Sequence, residues 1–189
     1  MLMKLLDRLE ETLIASLMAV ATLVIFVAVV HRYLSGVPYI QDYVIHWDFS
    51  WAQELCIYLF VWMAKFGAAY GVRTGIHVGV DVVINRLPPA SRARFVIFGL
   101  LAGALFTGVV GSLGANFVYH MSETEQTSAD LEWPMWIIYL AIPLGSYLMC
   151  FRFLQVAWTF IRTGELPHHD HAQVDGIDPV EAANEGGPA

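Results

Sequence analysis

Apolar residues fill this chain in four long blocks, and the polar stretches between them are short. Residues 12–31, 95–122 and 133–151 contain no Asp, Glu, Lys or Arg, and the fourth block, 51–72, is apolar apart from Glu54 and Lys65. Each block reaches the roughly 20 residues needed to cross a hydrocarbon layer about 30 Å thick. With no water there to satisfy backbone amides, such blocks are expected to be α-helices, with Pro143 and the interior glycines tolerated where neighbouring helices compensate. The pattern predicts an all-α membrane protein with four transmembrane helices, near 12–33, 51–72, 95–119 and 134–160. Together they form one membrane domain over residues 1–162. Residues 163–189 read as an acidic, disordered cytoplasmic tail.

Ahead of the first block, Leu2, Leu5, Leu6, Leu9 and Leu13 recur at helical spacing opposite Lys4, Asp7, Arg8 and Glu11. That spacing predicts an N-terminal amphipathic helix at the membrane surface. A secretory signal is the competing reading, but acids interrupt the approach and the apolar run is too long, so the segment is read as a retained first helix. Between the second and third blocks, Ile76, Val80, Val83, Ile84 and Leu87 fit one helical face before Pro88-Pro89, predicting a second surface helix. An irregular loop around Gly75 and Gly79 is the alternative. In the third block Gly99, Gly103, Thr107, Gly111 and Ala115 stand four residues apart, and Gly67, Gly71 and Gly75 repeat the device at the end of the second. Small residues at this spacing let helix backbones approach closely in lipid, either within the chain or against another subunit.

Charge placement adds an orientation. Lys4 and Arg8 precede the first span, Arg73, Arg86, Arg92 and Arg94 lie between the second and third, and Arg152 and Arg162 close the fourth. The two remaining loops carry no Lys or Arg, with Arg32 at the edge of one. The positive-inside rule therefore predicts both termini in the cytoplasm. Only 14% of the chain is charged, against about 25% in soluble domains. The net charge of -7 owes most to the tail, where six acids and no base follow Arg162. A basic patch for nucleic acid is absent. Cys56 and Cys150 both fall inside spans, where a thiol behaves as a small apolar group.

Few residues carry chemistry. Glu54 lies about one turn inside Trp51, and Lys65 follows on the same helical face but three turns deeper, too far for the two to pair. Ionisable groups within a span are costly and are functional candidates by default. Lys65 is expected either to snorkel to the interface or to meet a carboxylate on another helix. His31, His77 and His120 sit near span ends at unmatched depths, which favours interfacial roles over haem ligation. His168, His169 and His171 form a loose tract in the tail. No nucleophile elbow, phosphate loop or zinc signature is present, so the chain is not expected to be an enzyme, nor to bind a metal or cofactor.

The stretch Ser50-Trp51-Ala52-Gln53-Glu54-Leu55, followed by Phe66-Gly67-Ala68-Ala69-Tyr70-Gly71-Val72-Arg73-Thr74-Gly75-Ile76-His77-Val78-Gly79-Val80-Asp81, resembles the core signature of the small, DctQ-type membrane subunit of tripartite ATP-independent periplasmic (TRAP) transporters. Arg32-Tyr33 before it and Trp136 to Gly145 after it, with Pro143, match in order. The resemblance covers residues 8 to 162. It implies a small permease subunit in the bacterial inner membrane that scaffolds a large multi-spanning permease. In that family the large subunit holds the substrate and sodium sites, and a periplasmic substrate-binding protein delivers an organic acid, such as a C4-dicarboxylate. It also implies subunit-contact or packing roles for Arg32, Trp51, Glu54, Gly67, Gly71, Arg73, His77, Asp81 and Pro143, while Lys65, a further candidate contact, and the longer aromatic outer loop from Val37 to Phe49 depart from the family pattern. Two other readings stay open at this stage: a haem-binding membrane anchor of a respiratory complex, and a small homo-oligomeric exporter in which Glu54 couples protons.

Overall fold

The structure, a computed structural model, describes residues 2–44, 46–74 and 89–164. It contains six helices among these residues: α1 (Leu2–Leu34), α2 (Gln41–Val44), α3 (Ser50–Thr74), α4 (Pro89–Glu123), α5 (Met135–Tyr139) and α6 (Ala141–Thr163). Four candidate membrane spans result, Leu6–Leu34, Ser50–Thr74, Ser91–Glu123 and Met135–Thr163. The expected surface helix over 76–87, with His77 and Asp81, and the tail beyond Gly164 lie outside the described residues.

The N-terminal amphipathic segment is not a separate surface helix. It runs straight into the first span as one helix of 33 residues, and its acidic face packs against neighbouring helices where a helix lying on a membrane would turn it to water. Leu9 and Leu13 are exposed while Glu10 is 4% exposed. The reason is that the leucines already match lipid, whereas the acids need partners and find them on neighbouring helices.

α5 and α6 form one span broken near its start. Pro143 has no N–H to give to the carbonyl of Tyr139, and its ring crowds that carbonyl, so the regular helix is interrupted at Leu140 and resumes with Pro143 in its first turn. At the far end, Gly164 adopts φ 73° and donates its N–H to Phe160 O at 2.8 Å, closing α6 with a left-handed residue that glycine adopts without strain.

The extensive helix contacts are α1 with α3, α3 with α6, and α6 with α4. The spans therefore stand in a row, with α3 and α6 central and α1 and α4 at the edges, instead of closing into a ring. The α4–α6 seam is set by glycines. A Cβ at Gly103 would stand 2.9 Å from the Phe153 ring, one at Gly111 3.0 Å from Tyr147, and one at Gly114 2.8 Å from Ile142. Thr107, in the same seam, is buried and returns its hydroxyl to Gly103 O at 2.8 Å, and Ala115 is half-buried. Gly99 meets open space, so the seam follows the 3.6-residue turn through Gly114 and departs from the strict four-residue stripe. Between α3 and α6 the approach is closer still: a Cβ on Gly145 would fall 2.6 Å from Lys65 Cβ. Val72, Ala104 and Phe153 form a small buried cluster where α3, α4 and α6 meet.

Most large apolar side chains point outward, among them Leu23, Phe98, Leu105 and Phe106. That is expected where lipid tails replace water.

Candidate functional site

Two polar clasps hold the row, one at each end of the helices. At the end shared by the N-terminus and the end of α6, Arg152 is completely buried, with 0% exposure. Its Nε donates to Glu10 Oε1 at 3.0 Å and its Nη2 to Glu10 Oε2 at 2.6 Å, a bidentate pair. Nη2 also donates to Asp7 Oδ1 at 2.8 Å, and Nη1 to Gln155 Oε1 at 2.8 Å. Arg73, at the end of α3, completes the cluster. Its Nη2 donates to Glu11 Oε1 at 2.6 Å, and its guanidinium lies 4.8 Å from the Tyr70 ring centre. Arg73 Nη1 is 2.9 Å from Asp7 Oδ1, an ion pair. Three carboxylates from α1 thus bind two guanidiniums from α3 and α6. The planar fork of arginine suits this sharing between carboxylates, which a lysine ammonium would not reproduce.

Spacing along the sequence explains the local half of this cluster. Asp7, Glu10 and Glu11 are three and four residues apart and fall on one helical face. The long-range half was not visible, because Arg152 is 142 residues from Glu10 and read as one more basic residue at a cytoplasmic helix end. Acids placed just before an apolar run, where they are costly, were the signal available.

At the opposite end, Glu54 on α3 clasps the loop before α5. Its Oε2 accepts from Asp130 N at 2.8 Å and Leu131 N at 2.9 Å, and its Oε1 accepts from Ala129 N at 3.2 Å and from the Tyr58 hydroxyl. Three successive amides aimed at one carboxylate form a nest of the kind that binds anions. The loop is shaped for it: Ser128 N donates to Trp133 O at 2.8 Å, Met135 N to Gln126 O at 3.0 Å, and Glu132 takes φ 55°. Glu54 is thereby filled by its own chain. Sequence reasoning picked out the residue but not its partners, since backbone amides carry no sequence signature.

Of the remaining residues singled out from sequence, Trp51 is half-buried, stacks on Phe49 at 5.8 Å and donates its indole N–H to Asp48 O at 3.1 Å. Pro143 is buried against Gly114. Lys65 is half-buried and makes no hydrogen bond or ion pair among the described residues, and Gly67 and Gly71 have open space where a Cβ would stand. Arg32 ends α1 in an exposed position. His31 bonds Val44 O at 3.0 Å through Nε2 and lies 4.7 Å from the Phe49 ring, while exposed His120 is 3.8 Å from Glu123. Among the described residues, no three His, Cys, Asp or Glu side chains are grouped to hold a metal ion. Cys56 and Cys150 are free thiols.

A row of four helices long and apolar enough to cross a membrane, tied by charges bonded from one helix to another, defines a helical membrane protein. The chain belongs to the DctQ family, the small permease components of tripartite ATP-independent periplasmic transporters, and it is a multi-pass inner-membrane protein. The profile of that family, described as "Tripartite ATP-independent periplasmic transporters, DctQ component", matches residues 21–163. The chain is 56% identical over 199 aligned positions to the C4-dicarboxylate TRAP transporter small permease protein DctQ of Rhodobacter capsulatus, covering 94% of this chain and 87% of the relative. It is 32% identical over 183 positions to the protein of the same name from Vibrio cholerae serotype O1 (strain ATCC 39315 / El Tor Inaba N16961), covering 85% of this chain and 74% of that one.

Proposed function

We propose that this small permease subunit braces a large multi-spanning permease during uptake of a C4-dicarboxylate. A periplasmic binding protein delivers the substrate and an ion gradient drives the step, with sodium bound in the large subunit. The substrate class is taken from the name of the Rhodobacter capsulatus relative, which is similar along nearly its whole length. For the bracing role the supporting observation is that Arg152, Glu10 and Glu54 are all occupied within the chain. Helices tied at both ends are suited to stand still while a partner moves.

We orient the Arg73–Arg152 end toward the cytoplasm by the positive-inside rule. The permease contact is assigned to the open flank of α3, where Ala64, Gly67, Ala68 and Gly71 let a partner helix approach closely; Lys65 starts from the adjoining seam with α6, and only the far end of its chain can reach a carboxylate outside it.

The test is to isolate the tagged chain from its native membrane in mild detergent and to measure succinate uptake in cells lacking it. A large permease recovered in equal amount, together with loss of uptake, is the expected result. The chain recovered alone, or uptake unchanged without it, refutes the reading.

A further inference from the structure

Beside the joint between α1 and α3, at the end away from the Arg152 cluster, lies an open groove of about 400 Å³. Its lower wall is apolar, with Ile25 and Val29 from the last turns of α1. Its upper rim is polar, with Arg32, Trp47 and Asp48. Trp47 is 67% exposed, a position suited to headgroup depth. Arg32 and Asp48 line the same groove without pairing, and Arg32 has no hydrogen bond or ion pair among the described residues. Asp48 is fixed in place: Ser50 N donates to its Oδ1 at 2.9 Å and Ser50 Oγ to its Oδ2 at 3.1 Å. Those bonds from Ser50 hold its carboxyl below the usual carboxylate range, so it is ionised at neutral pH.

An unpaired cation and a fixed anion on one rim, above an apolar wall, match a ligand that carries both charges on a short headgroup over acyl chains. We propose that this groove binds a zwitterionic phospholipid with a primary ammonium, phosphatidylethanolamine, its phosphate on Arg32, its ammonium on Asp48 and an acyl chain along Ile25 and Val29. A primary ammonium can donate hydrogen bonds to the Asp48 carboxylate, whereas the trimethylammonium of phosphatidylcholine cannot. An anionic lipid satisfies Arg32 but meets Asp48 as a like charge. The site is independent of the subunit reading above and needs only the chain itself.

The experiment is native mass spectrometry of the full chain in detergent, titrated with phosphatidylethanolamine, phosphatidylcholine and phosphatidylglycerol of identical acyl chains. One retained phosphatidylethanolamine is expected, bound more tightly than the other two. Arg32→Gln should weaken it about fivefold, the size of one basic contact near a membrane surface. Asp48→Asn can keep the bond from Ser50 N to Oδ1 while its amide NH2 donates to Ser50 Oγ, and it should narrow the gap between phosphatidylethanolamine and phosphatidylglycerol. Circular dichroism of both variants checks that the helices are intact. Equal retention of the three lipids, or binding unchanged in both variants, overturns the proposal. So does an Arg32→Gln variant that loses a co-purifying protein while its lipid binding is unchanged, which would mean that a polypeptide fills the groove.

Discussion

Arg152 shows how far one residue's role depends on what surrounds it. An arginine with no exposed surface is stable only because Glu10, Asp7 and Gln155 accept hydrogen bonds from all three nitrogens of its guanidinium. Removing one member of a buried charge pair leaves the other uncompensated, at a cost of about 3–5 kcal/mol, while an apolar pair in the same place is far better tolerated. Arg152→Met is therefore expected to lower the unfolding midpoint in detergent sharply, and Glu10→Leu combined with Arg152→Met to recover part of that loss. A double variant as unstable as the sum of the two single ones would deny the coupling. Glu54 makes a different kind of bond, carboxylate to backbone. Glu54→Ala should free residues 129–131, so that a cysteine placed at Asp130 reacts several-fold faster with a water-soluble maleimide than in the parent chain. Equal rates would mean that the loop holds its shape without the nest. The sequence pointed to Glu54 because a carboxylate in an apolar run is conspicuous, whereas Arg152 was camouflaged among basic residues at helix ends.

At the scale of the helix, the existence and extent of the spans were legible because apolar length is a strong signal in a membrane protein. Register was less so. The four-residue stripe of α4 predicted a groove, and Gly103, Thr107 and Gly111 do face α6, but a helix advances 100° per residue, so a strict four-residue series drifts off the contact. Gly99 has rotated away and Gly114 has come in. Two substitutions separate these cases. Gly103→Leu drives a side chain into Phe153 and should cost about 1–3 kcal/mol, as overpacking does. Gly99→Ala meets nothing and should stabilise by up to about 1 kcal/mol, since alanine is the better helix former. Thermal unfolding of the two variants in the same detergent checks both, and equal effects would contradict the seam described here. The facing of the N-terminal segment was also illegible, because alternating leucines and charges define two faces without saying which one meets protein.

For the molecule as a whole, the order α1–α3–α6–α4 sets what the fold can do. A row has two broad sides and two edges, and it encloses no lumen among its described helices. Sequence alone could not order the spans, since four apolar helices of similar length can be arranged in several ways. Cross-linking reads the order directly. With Cys150 replaced by Ser, Ala21→Cys should be joined to the native Cys56 by a short bifunctional thiol reagent, because Cys56 Sγ already lies 3.6 Å from Ala21 O. Phe26→Cys paired with Leu105→Cys, on α1 and α4 of a chain that otherwise lacks cysteine, should not be joined within one chain. A link across the second pair would mean that the row closes into a ring.

The Arg152 clasp also orders events in time. Asp7, Glu10 and Glu11 leave the ribosome first and Arg152 last, so the acids enter the membrane region well before their deepest partner exists. Arg73 on α3 can meet Asp7 and Glu11 as soon as the second span is made, but until the final helix is inserted Glu10 lacks the guanidinium that gives it two hydrogen bonds. A chain cut short before α6 stays in that state. The bonds that tie the first helix to the last can therefore close only after every span has been made.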